Sequence, residues 1–400
     1  MPISLDHHAT TPTAPEVVAA MAPYWSGAPW NAHSPHAGGA VAERAVARAR
    51  AAIADLIGAS PAEIVFTSGA TEANNIAILG TAAAARASHG KRRRILSSAI
   101  EHKSVLEAAR HVALDGFSHE LIPVTPNGIV DLAVFDRMIS GDVLLVSVMA
   151  ANNEVGTLQP LEQISARCSA HGVVFHVDGA QIAGRLPFDV VEAGCDLASL
   201  SAHKMYGPNG VGALFVSAAS PIRPTPLMFG GGQEGGLRPG TLPVPLIVGF
   251  GRAAQSAIEQ VGARGDEAHL ATVFTTELQR RGVVAVLNGD PGERLPGSLN
   301  FRIPGVDADD IVHRLGDRLH LSTGSACQSG ELTGSYVLRA MGLSDEDVSA
   351  SFRACFGRDH TEIDAQTAAK ILAEVVLACE NGAGRRVQQQ GEVGGKVRVG

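Results

Sequence analysis

Between about residues 60 and 220 the chain alternates short, continuously apolar runs with segments of helical period. Ile64–Thr67, Arg94–Ser97, Val143–Met149, Val173–Val177 and Gly212–Val216 are predicted to be strands buried on both faces. Glu72–Arg86, Ser104–Leu114 and Leu161–His171 are predicted to be helices between them. Strand–helix alternation of this kind predicts an α/β fold with a mostly parallel sheet between helical layers. From about 220 to 245 the period is lost among Pro221, Pro224, Pro226, Gly230–Gly232, Gly235, Gly236, Pro239 and Gly240. Loops of that length are usually functional. An amphipathic pattern follows over about Val244–Arg281, then a mixed α+β region to about Gly382. Residues 386–400 carry no apolar period and are expected to be a disordered tail.

The length, 400 residues, exceeds what one core ordinarily serves, so two domains are expected. The formal net charge of −8 argues against a protein that simply coats nucleic acid. Met1–His8 shows no basic segment leading into an apolar one, so no secretory signal is read. The apolar run Val143–Ala151 is far shorter than the roughly 20 residues of a membrane span. The cysteines are Cys168, Cys195, Cys327, Cys355 and Cys379, an odd number without a CxxC, so neither a disulfide framework nor a zinc ribbon is expected. A reducing cytoplasm is the expected setting, and there a free thiol can do chemistry.

In open α/β sheets ligands bind beyond the carboxyl ends of the strands, so the residues following each apolar run matter most. They are Ser68-Gly-Ala-Thr-Glu72, Glu101-His102-Lys103, Asn152-Asn153-Glu154, Asp178-Gly-Ala-Gln181 and Ser201-Ala-His203-Lys204. Taken singly, each has an ordinary explanation: a helix cap, an exposed ring, a solvated lysine. Taken together they offer an anion-binding helix start, an aromatic-type ring, a buried carboxylate and an amine. Those are the groups that pyridoxal 5'-phosphate requires for its phosphate, its ring, its pyridinium nitrogen and its aldehyde. Cys327 lies in Leu321-Ser-Thr-Gly-Ser-Ala-Cys-Gln-Ser329, flanked by small residues where a core cysteine would lie in an apolar run, and is read as a nucleophile. Cys195 and Cys379 are read as inert, and Cys355 stays open.

Thr67–Asn75, Val177–Gln181, Ser201–Gly210 and the Cys327 loop resemble the motifs of the longer-loop (group I) cysteine desulfurases. These are fold-type I pyridoxal-phosphate enzymes of the class V aminotransferase superfamily. The resemblance runs from Leu5-Asp-His-His-Ala-Thr-Thr-Pro12 to Arg353, about seven-eighths of the chain. It implies a large cofactor domain over 14–255 with a seven-stranded sheet, and a smaller α+β domain over 1–13 and 256–385. Lys204 would hold the cofactor as a Schiff base and then move the substrate Cα proton. Asp178 would pair with the pyridinium nitrogen, and His102 would stack on the ring and is a candidate proton shuttle. Gln181 would bond the ring's phenolic oxygen, while Ala70, Thr71, Ser201 and His203 would hold the phosphate. Thr241 would reach the phosphate of a neighbouring subunit, which implies a homodimer. Asn153 and Arg353 would hold the carboxylate of L-cysteine, and Cys327 would take its sulfur as a persulfide for an acceptor protein.

The chain departs from the family pattern at Gly235, Pro239 and Cys355 and in the stretch Gly357–Glu362. Rival readings are a selenocysteine lyase or another class V enzyme, a silent scaffold, and a metal hydrolase. The last is disfavoured because His7-His8 and His33-x-x-His36 lack the spacing and carboxylate of a helical metal site. The Ala- and Gly-rich composition suggests a GC-rich genome and an expected lean toward DNA phosphorothioation, with iron–sulfur cluster assembly and tRNA thiolation as alternatives. Direct contact with nucleic acid or membrane is not expected, and no metal is.

Overall fold

A computed structural model describes residues 2–27, 30–261, 266–323 and 334–393. The chain divides into two compact units. One comprises His8–Arg264 with Asp290–Leu295, and the other Met1–His7, Gly265–Gly289 and Pro296–Gly400. The first strand, β1 (Ile3–Ser4), belongs to the latter.

The unit starting at His8 runs through α1 (Pro15–Ser26), α2 (Ala37–Leu56), β2 (Ile64–Thr67), α3 (Ala70–Asn75), α4 (Thr81–Ala87), β3 (Arg94–Ser98) and α5 (Lys103–Ala113). It continues through β4 (Ser118–Ile122), α6 (Leu132–Met138), β5 (Val143–Ser147), α7 (Leu161–His171), β6 (Val174–Asp178), β7 (Leu197–Ser201), β8 (Gly212–Val216) and α8 (Val244–Val261). Its seven strands lie in the order β2-β8-β7-β6-β5-β3-β4. All neighbours are parallel except β8, which is antiparallel to both β2 and β7.

Strand alternation divides the core in two. Ile64, Phe66, Phe175 and Val177 join a cluster with Ile53 of α2 and Phe250 of α8. Val65, Ile95, Leu145, Val174 and Leu197 join another with Ala73 of α3 and Val105 of α5. With a period of two, Asp178 shares the α3/α5 side with Val174 and His176.

The other unit holds α9 (Asp266–Arg280), β9 (Val286–Leu287), β10 (Ser298–Arg302), α10 (Ala308–Leu315), β11 (Leu319–His320), α11 (Tyr336–Ala340), α12 (Asp345–Ser349), β12 (Ser351–Cys355) and α13 (Glu362–Val393). An antiparallel sheet β12-β10-β9 and a parallel pair β1-β11 pack with α9, α10 and α13 around Phe274, Phe301, Phe352 and Leu372.

The α/β class, the five expected strands and the α7 span are as the pattern predicts. Two strands escaped it. In β7 serines interrupt the apolar run at 199 and 201, and β4 is a polar edge strand paired only to β3. The helix expected over 72–86 passes through a π turn at Ile76–Gly80 between α3 and α4. Helix α13 ends at Val393, and the rest of the expected tail lies outside the described residues. Among the described residues no helix is long and apolar enough to cross a membrane.

Candidate active site

The polar residues gather where β2, β3, β5, β6 and β7 end. After β2 the chain turns at Gly69, whose φ of +152° is open to glycine far more readily than to any other residue. Thr67 braces that turn, its Oγ1 donating to Gly69 O at 3.0 Å. A side chain at Gly212 would meet Gly69 Cα at 2.6 Å, so β8 and the turn are in backbone contact. The next residues, Ala70 and Thr71, open the helical run, and N–H groups in a first turn have no partner within the helix. Ser201, buried at the end of β7, has its Oγ 3.8 Å from the Cβ position of Gly69. Backbone donors and a hydroxyl thus converge as an anion requires. Glu72 anchors the turn, accepting from Ser68 N at 2.5 Å and pairing with Arg238 at 2.8 Å. Thr241, further along the glycine-rich loop, is exposed.

Asp178 ends β6, buried. Its Oδ1 accepts from Ala180 N at 3.0 Å and its Oδ2 from Asn74 Nδ2 at 2.8 Å. The Asn74 amide, wholly buried on α3, also donates to Ser104 Oγ at 2.8 Å. His102 caps α5, its Nδ1 accepting from Ser104 N at 3.1 Å and lying 2.8 Å from Ser104 Oγ. Burial holds His102 below the ordinary histidine range, opposed by the charge of Asp178 and assisted by Lys204 and Lys103. Beside it Glu101 is fully buried, with Met149 N donating to its Oε1 at 2.6 Å. Burial raises the Glu101 carboxyl well above the usual range, and the charge of Asp178 adds to that.

Lys204 follows β7 on a short 3-10 turn, half-buried. Its Nζ donates to the carbonyls of His8, at 2.5 Å, and Ala9, at 2.8 Å. Gln181 Nε2 donates to the same His8 carbonyl at 3.0 Å, and the His8 ring Nδ1 lies 2.7 Å from Asn153 O. One residue, His8, therefore gathers Lys204, Gln181 and Asn153. His203 lies beside Thr10, Nδ1 to Oγ1 3.0 Å, and burial together with Lys204 pushes its ring down to about 4.

In the other unit Arg353 is buried on β12, its Nη2 donating to Asp6 Oδ1 at 2.7 Å. Ser322 Oγ donates to the second oxygen of Asp6 at 3.1 Å. Cys327 lies outside the described residues. Cys168, Cys195 and Cys355 are buried, and burial pushes the thiols of Cys168 and Cys195 far up, which makes them poor nucleophiles.

Within the unit starting at His8, Ala70, Thr71, His102, Asn153, Asp178, Gln181, Ser201, His203 and Lys204 thus all lie at the carboxyl end of the sheet or in the turns leaving it. Sequence reasoning missed Asn74, Ser104, Glu101 and the hub made by His8. For His8 a signal exists, since it stands in the Leu5–Pro12 motif. The residues fit pyridoxal phosphate. Gln181 Oε1 is a buried acceptor with no hydrogen-bond partner among the described residues, which a donor on a bound molecule would satisfy. The carboxylate, the amine and the anion-binding turn are of the kinds that would meet its ring nitrogen, its aldehyde and its phosphate.

The chain matches the family model "Aminotransferase class-V" over residues 3–367. It is 45% identical over 378 residues to the cysteine desulfurase IscS of Rickettsia bellii (strain OSU 85-389), covering 94% of this chain and 91% of the relative. Among solved structures, a NifS-like protein superposes with a TM-score of 0.87 at 33% identity, over 94% of this chain and 99% of the other. DndA from Streptomyces lividans gives 0.72 at 36%, over 87% and 97%. The chain belongs to the class V aminotransferase family. Within that family it is a cysteine desulfurase, dependent on pyridoxal phosphate and acting on L-cysteine.

Proposed function

We propose that the residues at the end of the sheet, with Arg353 and Cys327, convert L-cysteine to L-alanine and leave the sulfur as a persulfide on Cys327. The observation that carries this reading is the convergence of Lys204, Asp178, Gln181 and His102 on one end of the sheet in a chain 45% identical to a cysteine desulfurase. Ala70, Thr71, Ser201 and His203 would hold the cofactor phosphate, Asp178 its ring nitrogen and Gln181 its phenolic oxygen. When bound, the cofactor supplies an electron sink that lowers the cost of removing the substrate's Cα proton.

Lys204 is suited to move that proton at Nζ, because two carbonyls already orient the amine at the end of the sheet. Arg353 is proposed to bind the substrate carboxylate, a planar group that a guanidinium matches with two parallel hydrogen bonds. Asn153 is proposed to assist from the turn after β5. The Cys327 thiolate attacks the substrate sulfur; an S–S bond forms, and the C–S bond breaks with its electron pair left on carbon. A proton then completes alanine, and the outer sulfur stays on Cys327 for transfer to an acceptor protein.

A homodimer, with Thr241 reaching the phosphate of the second subunit, belongs to the same reading, as does a cytoplasmic location. For the acceptor, the lean toward DNA phosphorothioation gives way to iron–sulfur cluster assembly. The former rested on composition and the longer cysteine loop, whereas the relatives at 43–45% identity carry the name cysteine desulfurase IscS.

The test is to measure alanine and sulfide from L-cysteine, with L-selenocysteine alongside. Cys327→Ser is expected to keep the visible absorbance of the bound cofactor and lose sulfur release. Lys204→Ala is expected to lose that absorbance. Wild-type alanine production by Cys327→Ser would remove the nucleophile assignment.

A further inference from the structure

Four side chains from separate elements form one unbroken series of hydrogen bonds: Asp178 ending β6, Asn74 on α3, Ser104 on α5, and His102 ahead of α5. The series has a direction. A carboxylate accepts and does not donate, so Asn74 must turn its Nδ2 toward Asp178 Oδ2, at 2.8 Å. The other hydrogen of that Nδ2 then goes to Ser104 Oγ, also at 2.8 Å. Ser104 Oγ is thereby an acceptor, and its single hydrogen is left for His102 Nδ1, 2.8 Å away. The backbone N–H of Ser104 reaches the same Nδ1 at 3.1 Å, and it can only donate. Two donors on Nδ1 leave that atom the lone pair, so the ring proton sits on Nε2. Among the described residues no hydrogen bond engages Nε2.

We infer that Asn74 and Ser104 are positioning residues that hold His102 as the neutral tautomer with its proton on Nε2. His102 then offers a hydrogen-bond donor, not a base, at its free edge. Nε2 already carries a proton, and charging the ring would place a second one on Nδ1, facing the Ser104 N–H that can only donate. The functional meaning, though not the tautomer, rests on the reading of His102 as the residue that stacks on the cofactor. The charged groups acting on the ring are Asp178 of β6, Lys204 after β7 and Lys103 of α5.

The experiment is a two-bond proton–nitrogen correlation spectrum of the full-length enzyme labelled with 15N at histidine. It is recorded with and without pyridoxal phosphate, and the His102 signals are assigned by their loss in His102→Gln. Expected at neutral pH is an unprotonated Nδ1 and a protonated Nε2. Ser104→Ala removes a hydrogen bond made only to the neutral ring, so the protonation midpoint of His102 should rise by about one pH unit. Ser104→Thr, which keeps the hydroxyl, should restore it. A proton on Nδ1 in the wild type, or an unchanged midpoint in Ser104→Ala, overturns the inference. If adding pyridoxal phosphate leaves the His102 signals unmoved, the stacking role fails, while the tautomer result is still decided by the cofactor-free spectrum.

Discussion

Arg353 shows what a single residue demands of its surroundings. Its guanidinium is 3% exposed and pairs at 2.7 Å with Asp6, itself partly open to solvent. A buried cation deprived of its carboxylate is costly, and the loss exceeds what the pair contributes when intact. Asp6→Ala should therefore destabilise the protein by about 3 kcal/mol in chemical denaturation, toward the low end for a buried pair because Asp6 is not fully enclosed. If the unfolding midpoint is unchanged, Asp6 does not neutralise Arg353. Arg353 was recognisable in the sequence by its place in a motif. Asp6 lies in the Leu5–Pro12 motif, yet nothing local links it to a residue 347 positions away.

At the scale of elements the contact between β8 and the turn after β2 is a tightly packed junction. A methyl group at Gly212 would lie 2.4 Å from Leu200 O and 2.6 Å from Gly69 Cα, both backbone atoms that cannot step aside. Gly212→Ala should cost about 2 kcal/mol or more, as overpacking does. It should also weaken pyridoxal-phosphate binding, because the displaced turn carries Ala70 and Thr71. Thermal melts and cofactor titration by absorbance measure the two effects. Gly141→Ala, with open space at its Cβ position, is the control and should stay within about 0.5 kcal/mol. Equal effects of the two changes would show that the junction is not tightly packed. The turn itself was legible from its small residues after an apolar run. Its support by β8 was not, because a glycine that opens a strand gives no sign of what crosses it.

For the whole molecule the same burial that builds the sheet sets a dependence on acid. His176 lies wholly inside, bonded to Ser147 Oγ at 2.8 Å and Ser199 Oγ at 3.0 Å, and burial lowers its ring from 6.5 to about 4. Its folded value lies below its unfolded one, so the unfolded chain binds the extra proton between those limits. The stability it contributes is complete above pH 6.5 and is lost as the pH falls toward 4. The drop should be about 3 kcal/mol across that window. His176→Gln should flatten the slope of unfolding free energy against pH between 6.5 and 4, whatever it does to stability at neutral pH. An unaltered slope would mean that His176 is protonated in the fold.

What the sequence determined by itself was the α/β class, most strands of the large sheet, and the set of chemical groups presented at their ends. Apolar runs and the residues that follow them are local, and a parallel sheet places strand ends together whatever the details. What only the tertiary structure decided was which of those groups touch. Asn74 faces Asp178 across 104 positions, and His8 gathers Lys204, Gln181 and Asn153 through its own backbone and ring. A hydrogen bond depends on distance and direction between atoms of different elements, and no period along the chain encodes either. The protonation state inferred for His102 follows from those directions, and so belongs to the fold and not to the motif in which the histidine was found.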